Sequence, residues 1–327
     1  MNISIENIKD ITFGAESIEE ENDYIVFSRF TENEKKVYTD SSDLKIKTLA
    51  TAGVRLDFYT DADIISFDYK MIRASSRNLA FFDVYIDNMF AESVSHNDID
   101  FEFTDKFSKS LKKGRKRITI FFSNLFNMQI KNFQLKSGTY IEPYRYKMQI
   151  LSYGDSITQG YDALFPSYSY INRFSMYLDA FIYNKAIGGD IFRPALIERK
   201  NFKPDIVTIA YGTNDWSKCT KADFINNMSL FIKKITKEYA DTKIIVITPI
   251  WRKDFEKIVQ FGKFDEMIKL IENECKKYED IKVITGEELL PHTDLLFSDG
   301  YLHPNDIGME IYSLNLYKKL YEMLWLE

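Results

Sequence analysis

Ile150 to Tyr170 reads ILSYGDSITQGYDALFPSYSY, and the fold turns on its first seven residues. A compact apolar run ending at Tyr153 has the form of a strand buried on both faces, and it stops at Gly154-Asp155-Ser156. Open α/β sheets bind their ligands beyond the carboxyl ends of the strands, so the Ser156 hydroxyl stands where chemistry collects. A serine there can equally cap the helix that follows. A nucleophile further requires a base, a group that orients the base, and donors for an oxyanion.

Outward from this stretch, "MQILSY", "FIYNKAI", "DIVTIAY", "KIIVITP" and "IKVIT" repeat the same compact pattern. Helical periods separate them over 167–178, 222–239 and 264–278, with a last one over 306–324. Strand alternating with helix predicts a doubly wound parallel sheet for residues 144–327. Residues 1–143 read differently. "NDYIVFSRF", "KIKTLA", "GVRLDFYT", "IISFDYKMI", "LAFFDVYIDN", "IDFEFT", "RKRITIFF" and "MQIKNFQL" alternate or concentrate β-branched and aromatic residues, with no convincing helical period between them. An antiparallel β-sandwich of jelly-roll type is predicted.

A chain of 327 residues, 45% of them hydrophobic, can fill two such cores. Its net charge of -6 argues against nucleic acid or an anionic membrane as a partner. The basic run Lys112 to Arg117 lies between strand-like segments and reads as a solvated turn. "MNISIENIKD" has neither a basic nor an apolar leader region, and no run approaches a membrane span, so a cytoplasmic location is expected. Cys219 and Cys275 stand far apart and outside any Cys-x-x-Cys motif, which predicts reduced, structural thiols. Neither a Gly-x-Gly-x-x-Gly motif nor a P-loop is present, and no cofactor or metal is expected.

The loops that follow the predicted strands hold the polar residues. After the second comes "NKAIGGD" with Gly188 and Gly189, after the third "YGTND" with Asn214, and before the last helix "FSDGYLHPND" with Asp299 and His303. Taken together they fit acyl transfer. Ser156 is the nucleophile and His303 its base; Asp299, four residues upstream, orients the imidazole. The backbone N–H groups of Ser156 and Gly189 and the Asn214 amide surround the oxyanion. His96 falls in the sandwich half and His292 has no orienter nearby, so surface or loop roles are expected for both. Because every site residue follows residue 147, the second half is expected to retain activity if it folds alone.

The ordered blocks "GDSITQG", "IGGD", "YGTND" and "DGYLHPND" resemble those of the SGNH hydrolases, also called the GDSL esterase and lipase family. The resemblance spans residues 147–327 and implies a flavodoxin-like α/β/α domain of strand order 2-1-3-4-5. It also implies the same roles for Ser156, Gly189, Asn214 and His303. One position departs from it: the family usually places its aspartate three residues before the histidine, where this chain has Gly300. Asp299 is the expected acid, with Asp294, Asp306 or a backbone carbonyl as alternatives.

A sandwich ahead of such a domain resembles carbohydrate acetyl esterases and some acyltransferases. The expected activity is hydrolysis of small acyl esters, acetyl in the first instance, on a saccharide. Transfer to a hydroxyl acceptor is one alternative, and carbohydrate binding by a degenerate enzyme is the other. Tyr161, Trp216 and Trp251, with Phe165 and Tyr168, are expected to wall the pocket, and Arg193 or Arg252 to meet an anion. The oligomeric state is not legible in the sequence.

Overall fold

A computed structural model describes residues 1–97 and 101–325. The chain opens on helix α1 (Ile5–Ile11), followed by β1 (Thr12–Phe13), β2 (Ser17–Glu21) and β3 (Tyr24–Ser28). Two short helices, α2 (Glu32–Lys36) and α3 (Ser42–Lys47), precede β4 (Arg55–Thr60), β5 (Ile64–Arg73), β6 (Leu79–Ile86) and β7 (Met89–Asn97). The first half closes with β8 (Glu102–Ser110), β9 (Lys116–Phe121), β10 (Phe126–Lys136) and β11 (Ile141–Pro143).

Two antiparallel sheets result, ordered β1-β4-β9-β6-β7 and β2-β3-β10-β5-β8, with β11 added on β4. Along β5 buried and half-buried residues alternate, as one face against a second sheet requires. Phe67 of β5 stacks on Phe133 of β10 at 5.6 Å and meets Phe82 of the opposite sheet at 5.9 Å, which ties the layers together.

The three helices correct the expectation of an uninterrupted run of strands. The first half of "KIKTLA" is the end of α3, because the Ser41 side chain accepts from the Leu44 N–H and starts a helix whose buried residues, Leu44 and Lys47, are three apart. Of "IDFEFT", Ile99 and Asp100 lie outside the described residues, and β8 begins at Glu102.

In the second half β12 (Met148–Gly154), β13 (Ala180–Asn184), β14 (Ile206–Ala210), β15 (Lys243–Ile247) and β16 (Ile281–Ile284) form a parallel sheet ordered β13-β12-β14-β15-β16. Helices α4 (Ser156–Gln159) and α5 (Tyr170–Tyr177) follow β12, α6 (Thr213–Lys218) and α7 (Lys221–Glu238) follow β14, and α8 (Phe264–Cys275) and α9 (Asp306–Trp325) complete the layers. Successive strand residues point to opposite faces. Leu151 therefore packs with Phe231 and Met267 in one core, whereas Ile150 packs with Phe174 and Leu316 in the other.

The halves share buried groups. Phe30, Tyr38 and Leu44 belong to the core on the α7–α8 side of the parallel sheet. The Arg29 guanidinium, 1% exposed, donates to the carbonyls of Asn184 (2.6 Å) and Ala186 (3.1 Å) at the end of β13 and to Ala50 O (2.5 Å). Burial pulls it down to about 9. Lys185, with no exposed side-chain surface, pairs with Glu16 at 2.6 Å and Glu34 at 2.8 Å. Among the described residues no helix is long and apolar enough to cross a membrane, and both cysteines are free.

Candidate active site

The strand β12 delivers Asp155 and Ser156 to the carboxyl edge of the sheet. Asp155 takes the capping task, its Oδ1 accepting from the Ile157 N–H at 3.0 Å, so Ser156 is the first residue of α4 and not its cap. That leaves the Ser156 Oγ free to meet His303 Nε2 at 2.9 Å.

His303 comes from the loop before α9. Ser298 N–H donates to His303 O at 2.8 Å, and Phe297 bridges Pro304, so residues 297–304 close on themselves. Gly300 turns the loop with a φ of 62°, in the left-handed region that favours glycine. Asp299 then folds back over the next turn. Its Oδ1 accepts the N–H groups of Tyr301 (2.9 Å), Leu302 (2.7 Å) and His303 (3.1 Å), and its Oδ2 lies 2.8 Å from His303 Nδ1. Burial alone would raise this carboxyl. The bonds from the imidazole and from the backbone outweigh it and hold Asp299 well below the usual carboxylate range. With Nδ1 donating to Asp299, Nε2 is the acceptor for the serine hydroxyl.

A second carboxylate stands on the same ring. Asp162 Oδ2 lies 3.5 Å from His303 Nδ1, and Arg77, from the turn after β5 of the sandwich, grips Asp162 with Nε at 2.6 Å and Nη2 at 3.0 Å. Tyr161 stacks on the imidazole at 5.8 Å, with the Arg77 guanidinium 5.6 Å above it. Asp162, Asp299 and His303 place ligand atoms within 4.8 Å of one another, the one such group among the described residues. A cation fits poorly there, because the Arg77 fork occupies both oxygens of Asp162.

On the other side lies the loop after β13. Gly189 has a φ of 87°, which only glycine adopts without strain, and among the described residues its N–H donates to no protein acceptor. The Asn214 amide donates one N–H to Asp190 O at 3.0 Å, which leaves the second available. Lys47 donates to Gly188 O at 3.0 Å and Lys218 to Gly189 O at 2.6 Å. Beneath the loops, burial pushes Asp155 up to about 6 and Asp215 up to about 7; Asp215 Oδ2 has no hydrogen-bond partner.

Several expected pocket residues have other places. Trp216, 1% exposed, donates Nε1–H to Gly262 O and packs on Phe264; it is a core residue because its whole face is covered. Tyr161, 3% exposed, backs the histidine. Arg193 pairs through Nε with Asp190 at 2.5 Å, whereas Arg252 is engaged through Nε by Asp254 at 2.5 Å and through Nη1 by Thr213 at 3.0 Å and offers no free guanidinium. Trp251 is half-buried and stacks on His292 at 5.7 Å, beside Phe297 at the root of the Asp299 loop. Phe165 and Tyr168 are half-buried against each other at 5.7 Å. His96 bonds the Tyr69 hydroxyl at 2.7 Å within the sandwich. Asp294 pairs with Lys253 at 3.0 Å, and Asp306 accepts from Phe165 N–H at 3.4 Å; neither serves the imidazole.

Residues 152–311 match the family model described as GDSL-like Lipase/Acylhydrolase. Among curated proteins none matches the sequence. Solved structures share the fold. The salicylyl-acyltransferase SsfX3 from a tetracycline biosynthetic pathway is similar at a TM-score of 0.84 and 18% identity, covering 96% of this chain and 95% of its own. A family two carbohydrate esterase from Cellvibrio japonicus superposes at 0.70 with 17% identity over 100% of this chain and 99% of that one. Another from Clostridium thermocellum, in complex with cellohexaose, gives 0.64 with 19% identity over 84% and 94%. Residues 152–311 therefore belong to the GDSL-like lipase/acylhydrolase family, as a parallel α/β domain set behind an antiparallel β-sandwich.

Proposed function

We propose that the chain is a serine esterase that hydrolyses small acyl esters, acetyl groups on a saccharide above all, through an acyl-enzyme on Ser156. The observation that carries this reading is the continuous line from Asp299 through His303 to Ser156, with contacts of 2.8 and 2.9 Å. Ser156 Oγ attacks the acyl carbon while its proton passes to His303 Nε2, and the carbonyl electron pair moves onto oxygen. That oxyanion is met by the N–H groups of Ser156 and Gly189 and by the Asn214 amide. Collapse restores the carbonyl and expels the sugar alkoxide, which takes the proton back from His303. Water then repeats the sequence on the acyl-serine. Asp299, held ionised, keeps the imidazole in the tautomer that accepts at Nε2 and stabilises the imidazolium that forms.

The saccharide assignment is supported by the carbohydrate esterases that share the fold, one of them in complex with cellohexaose. Transfer to a hydroxyl acceptor would use the same first half-reaction. The test is release of p-nitrophenol from p-nitrophenyl acetate and of acetate from an acetylated xylo-oligosaccharide, by wild type and by Ser156→Ala, with and without an acceptor sugar. Free acetate lost in Ser156→Ala supports the esterase; acetylated acceptor in its place would make the protein a transferase. No serine-dependent turnover of either ester would leave carbohydrate binding as the better reading.

A further inference from the structure

Lys47 belongs to the sandwich half, at the last position of α3, yet its ammonium ends at the oxyanion loop. The residue is 6% exposed, with Nζ 3.0 Å from Gly188 O and 2.6 Å from Asp43 Oδ2 on the solvent side. Its position is fixed from behind, because Arg29 Nη2 donates to Lys47 O at 3.3 Å while Nη1 of the same guanidinium holds the end of β13. Gly188 C=O and Gly189 N–H are the two ends of one peptide unit. A cationic donor on the carbonyl draws electron density through the amide and makes the N–H at the other end a stronger donor. It also opposes a flip of that peptide, which would turn an oxygen toward the developing negative charge.

The next peptide is held the same way. Lys218 donates to Gly189 O at 2.6 Å, and a Cβ placed on Gly189 would lie 3.1 Å from Lys218 Nζ and 3.9 Å from Lys47 Nζ. Two ammonium groups therefore flank Gly189. Resting on the esterase reading above, we propose that Lys47 is a positioning residue of the oxyanion hole: its ammonium fixes and polarises the Gly188–Gly189 peptide, so the sandwich completes the electrostatics of the reacting site.

Polarisation acts on the charged, tetrahedral state and hardly on the ground-state ester, so it belongs to kcat rather than KM. The test uses the full chain with p-nitrophenyl acetate as substrate and phenylboronic acid as a tetrahedral analogue on the serine. Lys47→Met is expected to lower kcat by about tenfold or more, less than the 10²–10³ for outright loss of a donor, with KM within about twofold. The affinity for phenylboronic acid should fall by the same factor, and Lys47→Arg should restore most of both. If Lys47→Met does not fold, Lys47→Gln keeps a neutral donor on Gly188 and should show the same paired loss in smaller measure. Unchanged kcat in the folded variant, or a loss without matching weakening of boronate binding, would overturn the inference. Wild-type turnover that survives Ser156→Ala would instead remove the esterase reading on which it rests.

Discussion

Asp299 reaches His303 from four positions upstream, with Oδ2 2.8 Å from Nδ1 and Oδ1 spread over three consecutive backbone N–H groups. The extra residue, Gly300, is absorbed by a left-handed turn at φ 62°. One carboxylate thereby both builds the loop and orients the ring. Asp299→Asn replaces an acceptor by a donor where Nδ1–H must be received, and kcat on p-nitrophenyl acetate is expected to fall by about 10³–10⁴. Asp294→Asn, at a residue paired with Lys253, should leave the rate within about twofold. A damaging Asp294→Asn beside a silent Asp299→Asn would reverse the assignment.

Arg77 neutralises Asp162 beside the histidine. In Arg77→Met that carboxylate keeps its place 3.5 Å from Nδ1 without its counter-charge and competes with Asp299 for the Nδ1–H. The kcat/KM on p-nitrophenyl acetate should fall by about tenfold in Arg77→Met, and the Arg77→Met/Asp162→Asn double variant should recover most of the loss. Equal kcat/KM in all three proteins would show that the pair serves only packing.

The isolated second half, residues 147–327, would lose Phe30, Tyr38 and Leu44 from its core, and Lys185 would be buried without Glu16 and Glu34. A buried ammonium stripped of its partners costs several kcal/mol. The fragment should lack cooperative thermal unfolding and esterase turnover, contrary to what the order of the motifs alone suggests. A folded, active fragment would contradict the shared core.

Asp215 titrates the other way from Asp299. Burial raises its folded value to about 7 against roughly 4 unfolded, so the native state holds more protons between those values and stability falls as pH rises through that window. Asp215→Asn keeps the acceptor for the Phe192 N–H and removes the buried charge. Its melting temperature should exceed that of wild type at pH 8 and approach it at pH 5. An identical pH dependence in both proteins would refute the assignment.

The parallel sheet was legible because strands buried on both faces leave compact apolar runs such as "MQILSY" and "DIVTIAY", which became β12 and β14. Ser156, Gly189, Asn214 and His303 were legible because each follows a strand or precedes the last helix. The helices α2 and α3 were missed because they are one or two turns long and owe their start to Thr31 and Ser41, a capping signal too local to show as periodicity. Asp162 lies six residues beyond Ser156 in the opening stretch, with a φ of 63°, but its pairing with Arg77 spans 85 residues and has no local trace. Lys47 is hidden for the same reason: its carbonyl partner is 141 residues away.

The most direct test of the account is to find the acyl group itself. Wild-type protein mixed with excess p-nitrophenyl acetate, quenched in acid within the first turnover and digested, should yield one acetylated peptide, with the acetyl on Ser156 Oγ. His303→Ala should abolish it, because the hydroxyl then has no base at 2.9 Å. Acetyl found on another residue, or full turnover with no acetyl on Ser156 at any quench time, would contradict the acyl-serine mechanism.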